Sequence, residues 1–102
     1  AEAEALFRKV MALEPRSSLA YLSLGDIYAH VGSVALAVPL FDTAIALDPR
    51  EPLALLHRAR AHRALKDLPR AIEDYRRLLR LVPSDPEASR ELAELLGQAP
   101  GP

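Results

Sequence analysis

Residues 15–49 read PRSSLAYLSLGDIYAHVGSVALAVPLFDTAIALDP, a stretch bounded by two prolines that stand 34 positions apart. The next proline in phase, Pro83, follows Pro49 by another 34 residues. Other residues keep the same interval outward in both directions: Ala3, Ala37 and Ala71; Phe7, Phe41 and Tyr75; Leu13, Leu47 and Leu81. The alternate segments repeat too, through Tyr21 and Leu55, then Gly25, Ala59 and Ala93. A period of this length marks a solenoid, in which each unit buries its apolar face only by stacking on the next.

Apolar periodicity and helix punctuation divide the chain into six helical segments. The first covers residues 2–14, with Ala3, Leu6, Phe7, Val10, Met11 and Leu13 on one face, and stops at Pro15. Ser17 or Ser18 caps the second, which covers residues 19–30 and ends near Gly32. Ser33 caps the third, which runs to Leu47; Pro39 inside it predicts a kink or a late helix start. The fourth opens at Glu51 and Pro52 and ends about Leu65 or Lys66. Asp67 caps the fifth, with Pro69 in its first turn and Leu81 at its end. Ser84 or Asp85 caps the sixth, which Pro86 opens and Gly97 closes, leaving residues 98–102 as a flexible tail. Such short connections make consecutive helices antiparallel. Gly25 is expected against Ala37 and Ala44, and Ala59 against Ala71, where helices approach closely.

Composition fits this reading. Half of the 102 residues are apolar and 26% are charged, yet only five are aromatic, so Leu and Ala must build the core. No cysteine is present, which excludes disulfides and thiolate metal sites. No apolar run has the length of a membrane span, and nothing resembles a secretory signal. The chain starts at Ala1 inside a helical pattern, which reads as a fragment of a longer protein; its compartment is open, cytoplasmic by default. The net charge of −1 conceals a contrast between −3 over residues 18–51 and +4 over residues 52–85. That basic sector suggests an acidic partner, a neighbouring acidic repeat or a solvated arginine-rich face.

Tyr21, Leu24, Gly25, Tyr28, Ala37, Phe41, Ala44 and Pro49 resemble the signature of the tetratricopeptide repeat (TPR) family at all of its marked sites. The next unit keeps Leu55, Ala59, Ala71, Tyr75 and Pro83. It departs at Arg58, where the family has leucine, at His62, where it has an aromatic, and at Leu78, where it prefers alanine. The resemblance implies an all-α fold, a right-handed superhelical stack of antiparallel helix hairpins with about six helices. Residues 1–97 form the array: a half repeat (1–15), two repeats (18–51 and 52–85) and a capping helix (86–97).

In this family the first helix of each hairpin lines a concave groove for a partner's peptide or helix. By resemblance, the groove residues are Leu19, Leu22, Ser23, Asp26 and His30, then Leu53, Leu56, His57, Arg60 and Arg63. Glu87, Arg90, Glu91 and Glu94 add to them as the outward face of the sixth segment, with Leu92, Leu95 and Leu96 inward. Leu19, Leu22, Leu53 and Leu56 form an apolar strip for a ligand anchor, or partly support neighbouring helices. One subclass grips chaperone carboxylate tails with Lys, Asn and Arg. Here the matching positions hold Leu22, Asp26, His57, Glu87 and Glu91, so a chaperone tail is not expected as partner.

Asp26, His30 and His57 can converge, but Asp26 has Arg60 as an alternative partner, and no metal site or cofactor is expected. Seven arginines crowd one unit, from Arg58 to Arg80, without interleaved aromatics, which argues against nucleic acid. No nucleophile elbow, phosphate loop or acid–base pair is present, so the chain reads as a binding protein and not an enzyme. The expected function is a protein-interaction scaffold holding a peptide or helix with apolar anchors, acidic near Arg60 and Arg63. The alternatives are homotypic assembly, including a dimer through Phe7, Val10 and Met11, and a regulatory domain of a larger enzyme.

Overall fold

The computed structural model describes Ala5, Arg8, Lys9, Ala12, Leu13 and residues 16–98. Those first five residues are helical; Phe7, Val10 and Met11, on which the dimer expectation rests, lie outside the described residues, as do residues 99–102. Five helices follow: α1 (Ser18–His30), α2 (Val34–Leu47), α3 (Pro52–Ala64), α4 (Leu68–Leu81) and α5 (Pro86–Gln98). Among the described residues there is no strand, and no helix is long and apolar enough to cross a membrane. The chain is an all-α stack in which α1 packs on α2 and α3 on α4, with α2 against α3 and α4 against α5 joining the hairpins.

Local chemistry explains the helix ends. Ser17 Oγ accepts from Ala20 N at 3.2 Å, Asp67 Oδ1 from Arg70 N at 3.3 Å, and Asp85 Oδ1 from Ala88 N at 3.0 Å. Each satisfies a backbone donor that a first turn leaves open. Glu51 caps α3 through Leu53 N at 3.1 Å. Ser33 precedes α2 but makes no side-chain cap bond. The end of α1 is closed by Ser33 N to Tyr28 O and Gly32 N to Ala29 O, with Gly32 at φ 88°. The end of α3 repeats those bonds through Asp67 and Lys66, with Lys66 at φ 65°. A left-handed residue lets the chain reverse there, cheaply for glycine and with strain for lysine. Gly97 does no such thing: it lies inside α5 without a positive φ.

Pro39 does not delay α2, which is helical from Val34 onward. Pro39 and Ala35, whose carbonyl loses the missing N–H, are both exposed, so water can take that bond. Ala37, Phe41 and Ala44 are fully buried on the opposite side and hold the helix in place.

Two clusters make the core. Leu22, Ala37, Phe41, Ala44, Ala54 and Ala61 form one; Leu55, Ala59, Ala71, Tyr75, Leu78 and Leu95 are in the other, and Ile45 touches both. Phe41, between Ala37 and Ala44, is what meets Gly25: a Cβ there would stand 2.5 Å from its Cε1. Gly25→Ala therefore sets a gain in helix propensity against a clash in a closed core. A net loss of about 1–2 kcal/mol is expected, read from urea midpoints.

Candidate functional site

The face made by α1, α3 and α5 carries the residues singled out by sequence, but not all at its surface. Leu19 (68% exposed) and Leu53 (46%) stand free at the N-terminal ends of α1 and α3. Leu22 (4%) and Leu56 (7%) do not: they are core, Leu22 beside Phe41 and Leu56 beside Tyr75. The four-leucine strip is thus two leucines wide, and the other two support the helices. Leu19, Leu22 and Leu53 meet in a small crevice with Ser18, Ala44, Glu51 and Ala54. Ser23 is half-buried.

Further along, Asp26, His30, His57 and Arg60 do come together, lining a cleft of about 280 Å³ with Ala29, Val34, Ala61 and Ala64. Asp26 Oδ1 lies 3.3 Å from His30 Nδ1 and 3.5 Å from His57 Nδ1. The hydrogen bond that His30 Nδ1 makes is to the Asp26 backbone carbonyl, at 3.0 Å, one turn back on the same helix. Among the described residues no group of three potential ligands is placed to hold a metal. The His57 ring also stacks on Phe41, centroids 5.8 Å apart and planes 22° from parallel.

Arg60 turns away from Asp26. Its Nε donates to Glu91 Oε1 at 2.9 Å, and its Nη2 to Glu91 Oε2 at 2.7 Å and Glu87 Oε2 at 2.9 Å. Tyr75 Oη donates to the same Glu91 Oε1 at 2.8 Å. Arg63 Nη2 reaches Glu94 at 3.1 Å. So Glu91 is buried and not outward, and the two arginines expected to await an acidic ligand are held by α5. Sequence reasoning missed this network, although the repeat contained its signal. Asp26 and His57 are 31 residues apart, and Arg60 and Glu91 are the positions 34 further on, with the charge order reversed.

Burial holds the His57 imidazole below its ordinary value, Asp26 opposing and Arg60 and His30 reinforcing the shift. The Arg60 guanidinium holds the Glu91 carboxyl below its own ordinary value, against the effect of burial and with help from Tyr75. Burial, then Glu91, pushes the Tyr75 phenol up. For His57 the unfolded chain binds its proton near the ordinary 6.5 while the folded chain binds it only at lower pH. Stability is therefore expected to fall as pH drops below 6.5, levelling out beneath the folded value. Glu91 adds stability that is complete above 4.5 and vanishes only as pH falls through its depressed value. Urea midpoints from pH 8 to 5 check the first effect, and His57→Gln should flatten the slope.

Several comparisons bear on this face. The sequence profile described as tetratricopeptide repeat matches residues 1–52, 31–86 and 56–100. No curated protein matches the chain. The first TPR domain of the human protein RPAP3, solved by NMR, is 29% identical, with 94% of this chain and 76% of that one aligned at a TM-score of 0.90. The first TPR of Spaghetti (RPAP3), bound to the HSP90 peptide SRMEEVD, is 27% identical, over 93% and 75%, also at 0.90. The second TPR domain of human RPAP3, in complex with the HSP70 peptide SGPTIEEVD, shares 23% identity over 90% and 77% at 0.85, a likeness of fold.

These structures correct the expectation against a chaperone tail, since domains so similar in fold were solved holding such tails. The geometry shows why counting acids misled. Glu91 is buried and paired with Arg60, so of the three carboxylates thought to repel a tail it presents no free charge, while the exposed Glu87 shares that same single cation.

Proposed function

The chain belongs to the tetratricopeptide repeat family, and on that premise we propose that it is a protein-interaction module without a reaction of its own, holding a partner's peptide on the face of α1, α3 and α5. The observation that carries the reading is the 27% identical domain solved with a bound peptide. The geometry supports the place. Leu19 and Leu53 offer apolar contact at one end, and Asp26, His30 and His57 offer polar groups in an open cleft at the other. Leu22 and Leu56 act from beneath, fixing the spacing of the helices. Arg60 and Arg63 present the edges of guanidinium groups whose charge α5 already balances, so they serve as hydrogen-bonding rims and not as bare cations.

The test is a random-peptide display selection on the chain, with fluorescein-labelled SRMEEVD measured alongside by anisotropy. Selected peptides should share an apolar side chain and should bind Leu19→Glu and Leu53→Glu at least about tenfold more weakly, the loss of one buried anchor. Failure to enrich any peptide, or undiminished binding by both variants, would remove the assignment.

A further inference from the structure

The positive surplus of residues 52–85 is not spread evenly once ion pairs are assigned. Arg58, Arg60, Arg63, Arg70 and Arg77 each face a carboxylate. Among the described residues, Lys66, Arg76 and Arg80 of this unit face none, and Arg76 and Arg80 lie one turn apart on α4. Arg80 borders a second cleft, about 290 Å³, on the side of the stack formed by α2 and α4. Its other walls are Ile45, Pro49, Leu55, Arg77 and Leu81. The backbone N–H of Arg50, next in the chain to Pro49, donates to Asp48 Oδ1 at 3.2 Å, but among the described residues its guanidinium faces no carboxylate.

We propose that this cleft is a second docking site, separate from the peptide face, for an acidic partner segment bearing a leucine-sized apolar side chain. The walls set the anchor: Ile45, Leu55 and Leu81 are aliphatic, with Leu55 buried at the floor and Leu81 exposed at the mouth. The rim sets the charge. Of the acids near it in sequence, Glu73 is engaged by Arg77 at 2.8 Å, Asp74 by Arg58, and Asp48 and Asp85 accept from the backbone N–H groups of Arg50 and Ala88, which leaves Arg80 on the rim and Arg76 one turn away without a carboxylate. Such a rim steers and orients an anionic chain. A nucleic acid fits less well, because no aromatic ring lines the cleft to stack a base.

The probe is a fluorescein-labelled peptide EEDLLEE, with EEDSSEE and an oligouridylate as comparison ligands, titrated into the whole chain. EEDLLEE should bind, EEDSSEE more weakly. The doubly substituted Arg76→Glu/Arg80→Glu chain should lose at least about tenfold, because both contacts become repulsive. Both sites are exposed and unpaired, so circular dichroism should show that variant folded. Leu53→Glu, on the other face, should bind EEDLLEE like the unaltered chain, which separates this site from the peptide face. Any of four results overturns the proposal: no peptide binding, equal affinity for EEDSSEE, undiminished binding by the double variant, or a preference for the oligouridylate. Loss of EEDLLEE binding in Leu53→Glu would also overturn it, by moving the peptide to the other face.

Discussion

Arg58→Leu is expected to destabilise the chain by about 3–5 kcal/mol, although it restores the residue that the family has at this site. Arg58 Nε and Nη2 donate to the two oxygens of Asp74 at 2.8 and 2.7 Å, and Nη1 donates to Asp42 at 2.9 Å. Asp74 is only 2% exposed, and among the described residues His62 Nε2, at 3.8 Å, is its only other ionisable partner. Removing the guanidinium strands a buried carboxylate, and that desolvation penalty outweighs any gain from a well-packed leucine. Asp42 is exposed and loses little. The double change Arg58→Leu/Asp74→Leu should recover most of the loss, because the preceding unit holds leucines at both equivalent positions, Leu24 and Leu40. Urea unfolding of the single and double variants makes the measurement. A stable single variant would mean that the pair contributes nothing to the second hairpin.

That pair also shows where the sequence is informative and where it stops. The 34-residue period, the capping residues Ser17, Asp67 and Asp85, and the prolines opening α3 and α5 are local signals, and local bonds realise them. Arg58 and His62 read as departures from the family pattern because a consensus carries one residue per position and no pairs. Their compensation lies in Asp74, sixteen residues from Arg58, where the preceding unit has Leu40. Comparing the two units in pairs would have exposed it. The same holds across hairpins. Phe41 stacks on His57, and the equivalent residues Tyr75 and Glu91 exchange a hydrogen bond instead. The added hydroxyl gives the buried Glu91 a donor that a phenylalanine would deny it.

Exposure on the face of α1, α3 and α5 was less legible, for a geometric reason. A helix flanked by its hairpin partner and by the next unit is covered on two sides, so apolar spacing marks burial without saying which neighbour does the burying. Leu19 and Leu22 are a single turn apart and equally apolar, yet the first sits at the open end of α1 and the second beneath Phe41. Their consequences differ sharply.

Leu22→Glu should abolish the cooperative unfolding transition at 25 °C. A carboxylate at a site 4% exposed, ringed by Ala37, Phe41, Ala44 and Ala54, has no cation in its cluster to pair with. Lost apolar burial and charge desolvation together exceed about 4–5 kcal/mol, a large share of the 5–15 kcal/mol that holds a typical domain together. Leu53→Glu places the same charge where nearly half the residue meets water, so its transition should stay within about 0.5 kcal/mol of the unaltered chain. Only that second variant can report on binding, because its fold survives to be tested. If Leu22→Glu instead kept its near-native transition and lost peptide, Leu22 would be a contact residue after all, and the wall of the proposed groove would lie one helical turn deeper than Leu19 and Leu53.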